Sequence, residues 1–263
     1  VLTGSDLITI EVGTAFTDPG VTATDNSGEN ITVTTTGTVD VNTVGTYTLT
    51  YTATDSSNNT SSITRTVNIV DTTDPIIVLE GDNPITIEVG TAFTDPGATA
   101  TDNYDEDITV TTTGTVDVNT VGTYTLTYTA TDSSNNTSSI TRIVNVVDTT
   151  DPTLVLTGSD LITIEVGTAF TDPGATATDN YDEDVTVTTT GTVDVNTVGT
   201  YTLTYTATDS SNNTSSITRI VNVVDTTDPT LVLTGSDLIT IEVGTAFTDP
   251  GATATDNYDE DVT

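Results

Sequence analysis

The eight residues ATDNYDED occur three times in the chain, at 100–107, 177–184 and 254–261. Four of the last six residues in each copy are acidic, and no lysine or arginine lies beside them to neutralise the charge. Two carboxylates about 4 Å apart repel each other by about 1 kcal/mol in water and by about 4 kcal/mol near a protein surface. A hard cation would remove this repulsion, and Ca²⁺ accepts about six to eight oxygen ligands in the irregular geometry that loops offer. The pattern therefore predicts calcium as a bound cofactor.

The composition narrows the range of functions. The 263 residues include 39 acidic residues but only three arginines and no lysine, which gives a formal charge of −36. Nucleic acids and anionic membrane surfaces are bound through lysine and arginine, so neither is an expected partner. The chain has no cysteine and no histidine, which excludes thiol chemistry, imidazole acid–base catalysis and the usual zinc sites. No stretch approaches the roughly 20 apolar residues of a membrane span, so none is expected in this segment.

A period of 77 residues organises the chain. The stretch ITIEVGTAFTDPG begins at Ile8, Ile85, Ile162 and Ile239, which gives three complete units and a partial fourth. This period is long for a solenoid coil and is close to the size of a small domain with its own core. Because residue 1 lies inside a patterned unit, we expect the chain to be part of a longer protein. The predicted organisation is repeat 1 at 1–70, a linker at 71–75, repeat 2 at 76–147, a linker at 148–152, repeat 3 at 153–224, a linker at 225–229 and a truncated repeat 4 at 230–263.

Each unit has the pattern of β-strands. In repeat 2 the candidate strands ITIEV, ITVTTTG, TYTLTYTAT and SITRIVNVV are rich in Thr, Val, Ile and Tyr and alternate with a period of two. Turn signals such as TDPG and DSSNNT separate them. About seven short strands per unit predict an all-β fold of tandem β-sandwich domains, arranged as beads on a string. The stretch VGTYTL at 121–126 further predicts a tyrosine corner at Tyr124, with Tyr47 and Tyr201 at the equivalent positions; an ordinary buried strand tyrosine is the alternative.

Several motifs, in one order, carry a resemblance to a known family. The stretches DTTDP, VGTAFTDPGATATDN, VGTYTLTYTATD and TRIVNVVD resemble the bacterial immunoglobulin-like (Ig-like) repeats of large secreted surface proteins and adhesins. The resemblance covers the whole chain. It implies tandem Ig-like β-sandwich domains in an extracellular protein of the bacterial cell surface, where they serve as a spacer in a long stalk.

An Ig-like topology would bring three acidic segments of each repeat to one end of the domain. These segments are the linker before the domain and the loops between strands B and C and between strands F and G. Carboxylates from a linker and a domain end would then share calcium, which is similar to cadherins in its logic and not in its motif. The candidate ligands are Asp71, Asp74, Asp102, Asp105, Asp107 and Asp132; Asp148, Asp151, Asp179, Asp182, Asp184 and Asp209; Asp225, Asp228, Asp256, Asp259 and Asp261; and Asp25 and Asp55 in repeat 1.

Repeat 1 departs from this pattern. Its loop reads DNSGEN at 25–30, so Gly28 and Asn30 replace two aspartates and Ser27 replaces the tyrosine. We expect weaker binding or fewer ions there. Two further acidic positions in repeat 2 have simpler interpretations. Asp95 precedes Pro-Gly and is expected to be a turn residue, with a role as an outer ligand as the alternative. Glu88, on the strand ITIEV, is expected to be a solvated strand residue.

These patterns predict a spacer without enzymatic activity. Such a spacer would be a stalk segment of an extracellular bacterial adhesin, rigidified by calcium at the junctions between domains. Its partners would be calcium and the neighbouring domains of the same chain. Lateral assembly into a filament or surface layer, with homotypic contacts through edge strands, is the alternative. Accessory domains of a secreted polysaccharide-active enzyme are a more distant one. The alternatives to a calcium site are that the acidic loops are simply solvated, or that their charge is an adaptation to high salt.

Overall fold

The fold of the chain is built from β-strands joined by turns. A computed structural model describes residues 1–28 and 31–259. Contacts within the chain divide it into two compact units, Val1–Val147 and Asp148–Thr263. The first unit holds repeats 1 and 2, and the second holds repeat 3 and the partial repeat 4. The prediction of an all-β fold of tandem β-sandwich domains is confirmed.

Repeat 1 contributes one four-stranded sheet. The strands of this sheet are β1 (Leu7–Glu11), β2 (Thr32–Thr36), β3 (Gly45–Thr54) and β4 (Thr60–Val70). Their order in the sheet is β1-β4-β3-β2. The first strand pairs with β4 in parallel, and the other pairs are antiparallel. An isolated bridge between Leu2 and Val21 lies outside this sheet.

Repeats 2 and 3 each contain six strands in two sheets. The strands of repeat 2 are β5 (Ile76–Leu79), β6 (Ile85–Glu88), β7 (Ala98–Thr101), β8 (Val110–Thr113), β9 (Gly122–Thr131) and β10 (Thr137–Val147). Those of repeat 3 are β11 (Thr153–Leu156), β12 (Leu161–Glu165), β13 (Ala175–Thr178), β14 (Thr186–Thr190), β15 (Gly199–Thr208) and β16 (Thr214–Val224). The sheet orders are β6-β10-β9-β8 with β5-β7, and β12-β16-β15-β14 with β11-β13. In repeat 4, β17 (Thr230–Leu233) pairs with β18 (Ala252–Thr255).

The core of each repeat follows from alternation along its two longest strands. In repeat 2, Leu126 and Tyr128 of β9 and Val144 of β10 are buried, whereas the threonines between them in β9 point outward. Ile77 and Leu79 from the two-stranded sheet pack against this cluster and close the sandwich. The period-two pattern therefore places one apolar face of each strand in the core.

Local backbone chemistry defines the ends of the strands. Gly114 ends β8 with a φ of +100°, and a Cβ at this position would lie 2.4 Å from the Thr125 carbonyl oxygen, so only glycine fits. The turn between β9 and β10 contains Asn135 with a φ of +72°, a conformation that asparagine tolerates better than most residues. The predicted tyrosine corner is confirmed: the hydroxyl of Tyr124 donates to the carbonyl oxygen of Thr120 at 2.8 Å. The equivalent bonds of Tyr47 and Tyr201 measure 2.9 and 2.8 Å.

A buried arginine lies in the core of each complete repeat. In repeat 3 the Arg219 side chain is fully buried and forms an ion pair with Asp172. The same guanidinium donates to the Tyr205 hydroxyl at 2.9 Å and to the carbonyl oxygen of Ser159 at 3.0 Å. Arg65 pairs with Asp18 and Arg142 with Asp95 in the same way. The expectation that Asp95 is a turn residue or an outer metal ligand is thus incomplete, because its carboxylate is the counter-charge of a core arginine.

Candidate metal centre

Strand ends bring the first group of aspartates together. Asp71, Asp102 and Asp132 come directly after β4, β7 and β9, and Asp105 lies three residues further along the β7–β8 loop. One carboxylate oxygen from each of these four residues lies within 4.8 Å of the others. We call this set the Asp71 group. Four carboxylates at this spacing offer a divalent cation four oxygen ligands from one linker and two loops.

Hydrogen bonds fix three of these carboxylates in place. The backbone amide of Tyr104 donates to Asp102 Oδ2 at 2.9 Å. Ser133 donates to both oxygens of Asp105, from its amide at 2.8 Å and from its hydroxyl at 2.9 Å. Asn136 donates to both oxygens of Asp132, from its amide at 2.8 Å and from its side chain at 2.7 Å. The side chain of Asn136 also donates to the carbonyl oxygen of Asp71 at 3.2 Å, which ties the turn to the linker.

The fourth carboxylate, Asp71, is buried and incompletely bonded. Asp71 is only 5% exposed. Its Oδ1 accepts from the amide of Thr73 at 3.3 Å, whereas its Oδ2 is buried and has no hydrogen-bond partner. Burial raises the pKa of Asp71, and the charges of Asp102 and Asp132 contribute to the rise. A buried carboxylate oxygen without a partner is costly, so the group lacks a positive charge or a donor at this point.

The same arrangement recurs one period later. Asp148, Asp179, Asp182 and Asp209 form a second group with the same spacing limit of 4.8 Å. Asp148 is 5% exposed, and its Oδ2 again has no partner, as is also true of Asp179 Oδ1. Burial raises the pKa of Asp148, and Asp179 and Asp209 add to this effect. We call this set the Asp148 group.

A third group contains Asp225, Asp256 and Asp259, and Asp256 Oδ1 is buried without a partner. We call it the Asp225 group. The candidate ligand Asp261 lies outside the described residues. The remaining candidate ligands in the linkers and loops are exposed and lie outside all three groups. These residues are Asp74, Asp107, Asp151, Asp184 and Asp228.

Repeat 1 retains only part of the arrangement. Asp25 Oδ2 accepts from the amide and the hydroxyl of Ser27, at 3.2 and 2.6 Å. Asp55 accepts three hydrogen bonds, one from Ser57 and two from Asn59. Gly28 stands where the other repeats have the third aspartate. Among the described residues, repeat 1 therefore offers a cation two carboxylates, whereas the Asp71 group offers four.

Two residues of the junction were not predicted as part of it. Glu11, at the end of β1, was expected by its equivalence to Glu88 to be solvated, but it accepts from the amide and the hydroxyl of Thr72 at 2.9 and 2.8 Å. Tyr104 lies in the acidic loop of repeat 2 and packs against the core cluster of Val12, Val67 and Ile69 in repeat 1. The only signals in the sequence are the recurrence of the glutamate in every ITIEV motif and of the tyrosine in every ATDNYDED loop.

The fold and the acidic ends define a chain of tandem Ig-like β-sandwich repeats. A family model described as "Bacterial surface protein, Ig-like domain" matches residues 1–69, 77–146 and 154–223. The chain belongs to this family and is an extracellular, cell-surface protein. Among the residues that the structure describes, no helix combines the length and apolar composition needed to cross a membrane.

Two curated proteins are similar in sequence. Hyalin from Lytechinus variegatus is 38% identical over 261 residues, which is 90% of this chain and 48% of that protein. Hyalin from Strongylocentrotus purpuratus is 34% identical over 281 residues, with 95% of this chain and 23% of that protein covered. The chain thus spans less than half the length of either relative.

Solved structures show only a distant likeness. A protocadherin γB7 structure of extracellular cadherin domains 3–6 has 15% sequence identity, with 91% of this chain and 76% of that chain covered, at a TM-score of 0.37.

Proposed function

We propose that the Asp71, Asp148 and Asp225 groups bind calcium, and that the repeats form a calcium-stabilised spacer of an extracellular adhesin. One observation carries this proposal: Asp71 and Asp148 are almost fully buried among other carboxylates, and each has an oxygen without a hydrogen-bond partner. A bound cation supplies the missing interaction and neutralises the mutual repulsion. The three arginines of the chain are all committed to the cores, so the cation must come from the solvent.

The ligand chemistry favours calcium among the common cations. All side-chain ligands in the groups are carboxylates, which are hard oxygen donors. Zinc and copper sites use cysteine or histidine, which the chain lacks. Magnesium requires near-ideal octahedral geometry and retains several of its waters. A group assembled from a linker and two loops suits the larger and more adaptable coordination sphere of calcium.

The position of the Asp71 group gives the bound ion a mechanical role. Asp71 directly follows the last strand of repeat 1, whereas Asp102, Asp105 and Asp132 belong to repeat 2. An ion that binds all four fixes the start of the linker against the loops of the next repeat. The same loop carries Tyr104, which packs on the core cluster of repeat 1. An ion that holds the loop in one conformation therefore also stabilises the contact of Tyr104 with repeat 1. A spacer that projects a distant domain requires such a fixed contact between neighbouring repeats.

Thermal unfolding of the full chain tests the proposal. At a calcium concentration of about 100 times the Kd, each bound site adds about 2.7 kcal/mol. For a repeat of 77 residues that unfolds independently, this corresponds to a rise in melting temperature of about 10–20 °C relative to excess chelator. Magnesium should reproduce little of this shift.

A matched pair of variants distinguishes calcium binding by the three aspartate groups from a general effect of negative charge. The triple variant Asp71→Asn/Asp148→Asn/Asp225→Asn should lose most of the calcium-dependent shift. The triple variant Asp74→Asn/Asp151→Asn/Asp228→Asn removes the same number of charges from the same linkers and should keep it. An equal response of the two variants, or no response of the unaltered chain to calcium, would refute the proposal.

A further inference from the structure

A glutamate of the preceding repeat holds the linker at 71–75 and the linker at 225–229. Glu11 Oε1 accepts from the amide of Thr72 at 2.9 Å and from the hydroxyl of Thr73 at 2.8 Å. Its Oε2 accepts from the hydroxyl of Thr72 at 2.8 Å. Two periods further along the chain, Glu165 accepts the equivalent hydrogen bonds from Thr226 and Thr227, with distances of 2.7–3.2 Å. Glu11 ends β1 and Glu165 ends β12. A residue of one repeat thus fixes the backbone of the linker that leads to the next.

The same threonines contact the aspartates of the metal groups. The amide of Thr73 donates to Asp71 Oδ1 at 3.3 Å, while its hydroxyl is bonded to Glu11. The amide of Thr227 donates both to Glu165 Oε1 at 3.2 Å and to Asp225 Oδ1 at 3.3 Å. The second threonine of each of these two linkers therefore bridges the glutamate and the first aspartate. While Oδ1 of Asp71 is held in this way, its Oδ2 is buried and has no hydrogen-bond partner.

We propose that Glu11 and Glu165 are positioning residues that orient Asp71 and Asp225 for the cation, so that calcium affinity depends on the preceding repeat. This inference rests on the proposed calcium function. In this proposal the glutamates act through the linker threonines. A carboxylate has about four lone-pair positions, and Glu11 uses three of them for the linker.

The size of the effect follows from related metal sites. Partners that orient a metal ligand typically change the affinity by about 10- to 100-fold when they are removed. Loss of Glu11 frees Thr73, and Asp71 then leaves its fixed orientation more readily. The glutamine variant behaves differently, because its Oε1 still accepts and its amide can donate to the Thr72 hydroxyl, which accepts as well as donates.

Calcium titration of the full chain with a single active group tests this inference. The Asp148 and Asp225 groups are inactivated in this background by Asp148→Asn, Asp179→Asn, Asp225→Asn and Asp256→Asn. Glu11→Ala should raise the Kd of the Asp71 group at least tenfold, whereas Glu11→Gln should stay within about threefold of the background. Glu106→Ala is the control: it removes a neighbouring exposed carboxylate that lies outside the group, and it should also stay within about threefold.

The outcomes separate this inference from the proposed function. If the background chain binds no calcium, the proposed function fails and the inference falls with it. If the background binds calcium and Glu11→Ala binds equally well, only the inference is overturned. If Glu11→Gln loses as much affinity as Glu11→Ala, the charge acts directly and the positioning role is wrong.

A second variant covers the case in which Glu11→Ala disturbs repeat 1, which thermal unfolding without calcium would show. Thr73→Val removes the hydroxyl bond to Glu11 and keeps the amide that faces Asp71. It should raise the Kd about threefold or more, and an unchanged Kd would contradict the inference.

Discussion

Repeat 3 holds aspartates in two opposite environments. Burial raises the pKa of Asp172, but hydrogen bonds from Tyr205 and Gly174 and the nearby Arg219 guanidinium outweigh it, so the pKa lies below its ordinary value of 3.8. Burial also raises the pKa of Asp148, yet here the neighbouring charges of Asp179 and Asp209 act in the same direction. The core therefore compensates its carboxylate internally, whereas the acidic end does not. In the proposed function, a cation from the solvent supplies the compensation that the acidic end lacks.

The largest loss of stability is expected when the core arginine that neutralises Asp172 is removed. Arg219→Leu leaves Asp172 and the Tyr205 hydroxyl without their buried partner, and breaking a buried pair in this way costs about 3–5 kcal/mol. Differential scanning calorimetry of the full chain should show an unfolding transition at much lower temperature, with or without calcium. A transition that calcium restores to its original position would contradict the separation of the two environments.

A smaller change in the same core should follow from Tyr205→Phe. The Tyr205 hydroxyl donates to Asp172 at 2.6 Å and accepts from Arg219 at 2.9 Å. Bonds to charged groups contribute about 1.5–3 kcal/mol each, and the ion pair that remains should limit the net loss to about 2 kcal/mol. Chemical denaturation measures this loss, and Tyr201→Phe is the control, because its hydroxyl bonds a neutral carbonyl oxygen and should cost about 1 kcal/mol.

The contribution of the acidic ends to stability should change with pH in the direction opposite to that of the cores. Asp71, Asp148 and Asp225 have raised pKa values. A raised pKa contributes stability that is complete below the ordinary value of 3.8 and is lost as the pH rises through the folded value. In excess chelator, the melting temperature should therefore increase by a few degrees as the pH falls from about 7 to about 4.5.

The groups with lowered pKa values do not obscure this window. Glu165 has a pKa of about 2 because of hydrogen bonds from Thr226, so its contribution is intact above 4.5 and is lost between 4.5 and about 2. With saturating calcium the dependence should reverse, because protons compete with the ion. Asp71→Asn/Asp148→Asn/Asp225→Asn should show a weaker pH dependence in chelator than the control Asp74→Asn/Asp151→Asn/Asp228→Asn, and equal slopes would count against the assignment.

The smallest expected signal concerns repeat 1. Gly28 replaces one of the loop aspartates between Asp25 and Asp55. A full chain in which the other three groups are inactivated should bind calcium at least tenfold more weakly than a chain that retains the Asp71 group. Isothermal titration calorimetry would detect the difference. Equal affinities would show that the four-aspartate arrangement is not what holds the ion.

The sequence predicted the parts of this fold that depend on local pattern. Alternation in TYTLTYTAT and SITRIVNVV gave strands that correspond to β9 and β10, and the tyrosine corner followed from the position of Tyr124. The meeting of Asp71, Asp102 and Asp132 followed from topology. Asp102 and Asp132 come directly after strands of repeat 2, and Asp71 begins the linker that enters repeat 2. These inferences need only the direction of strands and the spacing of residues.

The partners of single side chains were harder to predict. Arg142 alternates in phase with Val144 and Val146 in SITRIVNVV, which is a signal that its side chain points inward. Its partner Asp95, however, lies 47 residues away in the sequence, in a segment that has the pattern of an ordinary turn. Glu11 likewise bonds threonines about 60 residues away. Contacts between residues so far apart in the sequence depend on how the chain packs, and a local sequence pattern does not indicate them.

Direct measurement of bound calcium tests the central claim. The chain is treated with chelator and dialysed into about 150 mM salt, and calcium is then titrated by calorimetry. The account predicts at least two ions bound per chain, one for each group of four aspartates. It also predicts loss of this binding in Asp71→Asn/Asp148→Asn/Asp225→Asn and its retention in Asp74→Asn/Asp151→Asn/Asp228→Asn. No saturable binding, or binding that both variants reduce equally, would contradict the account.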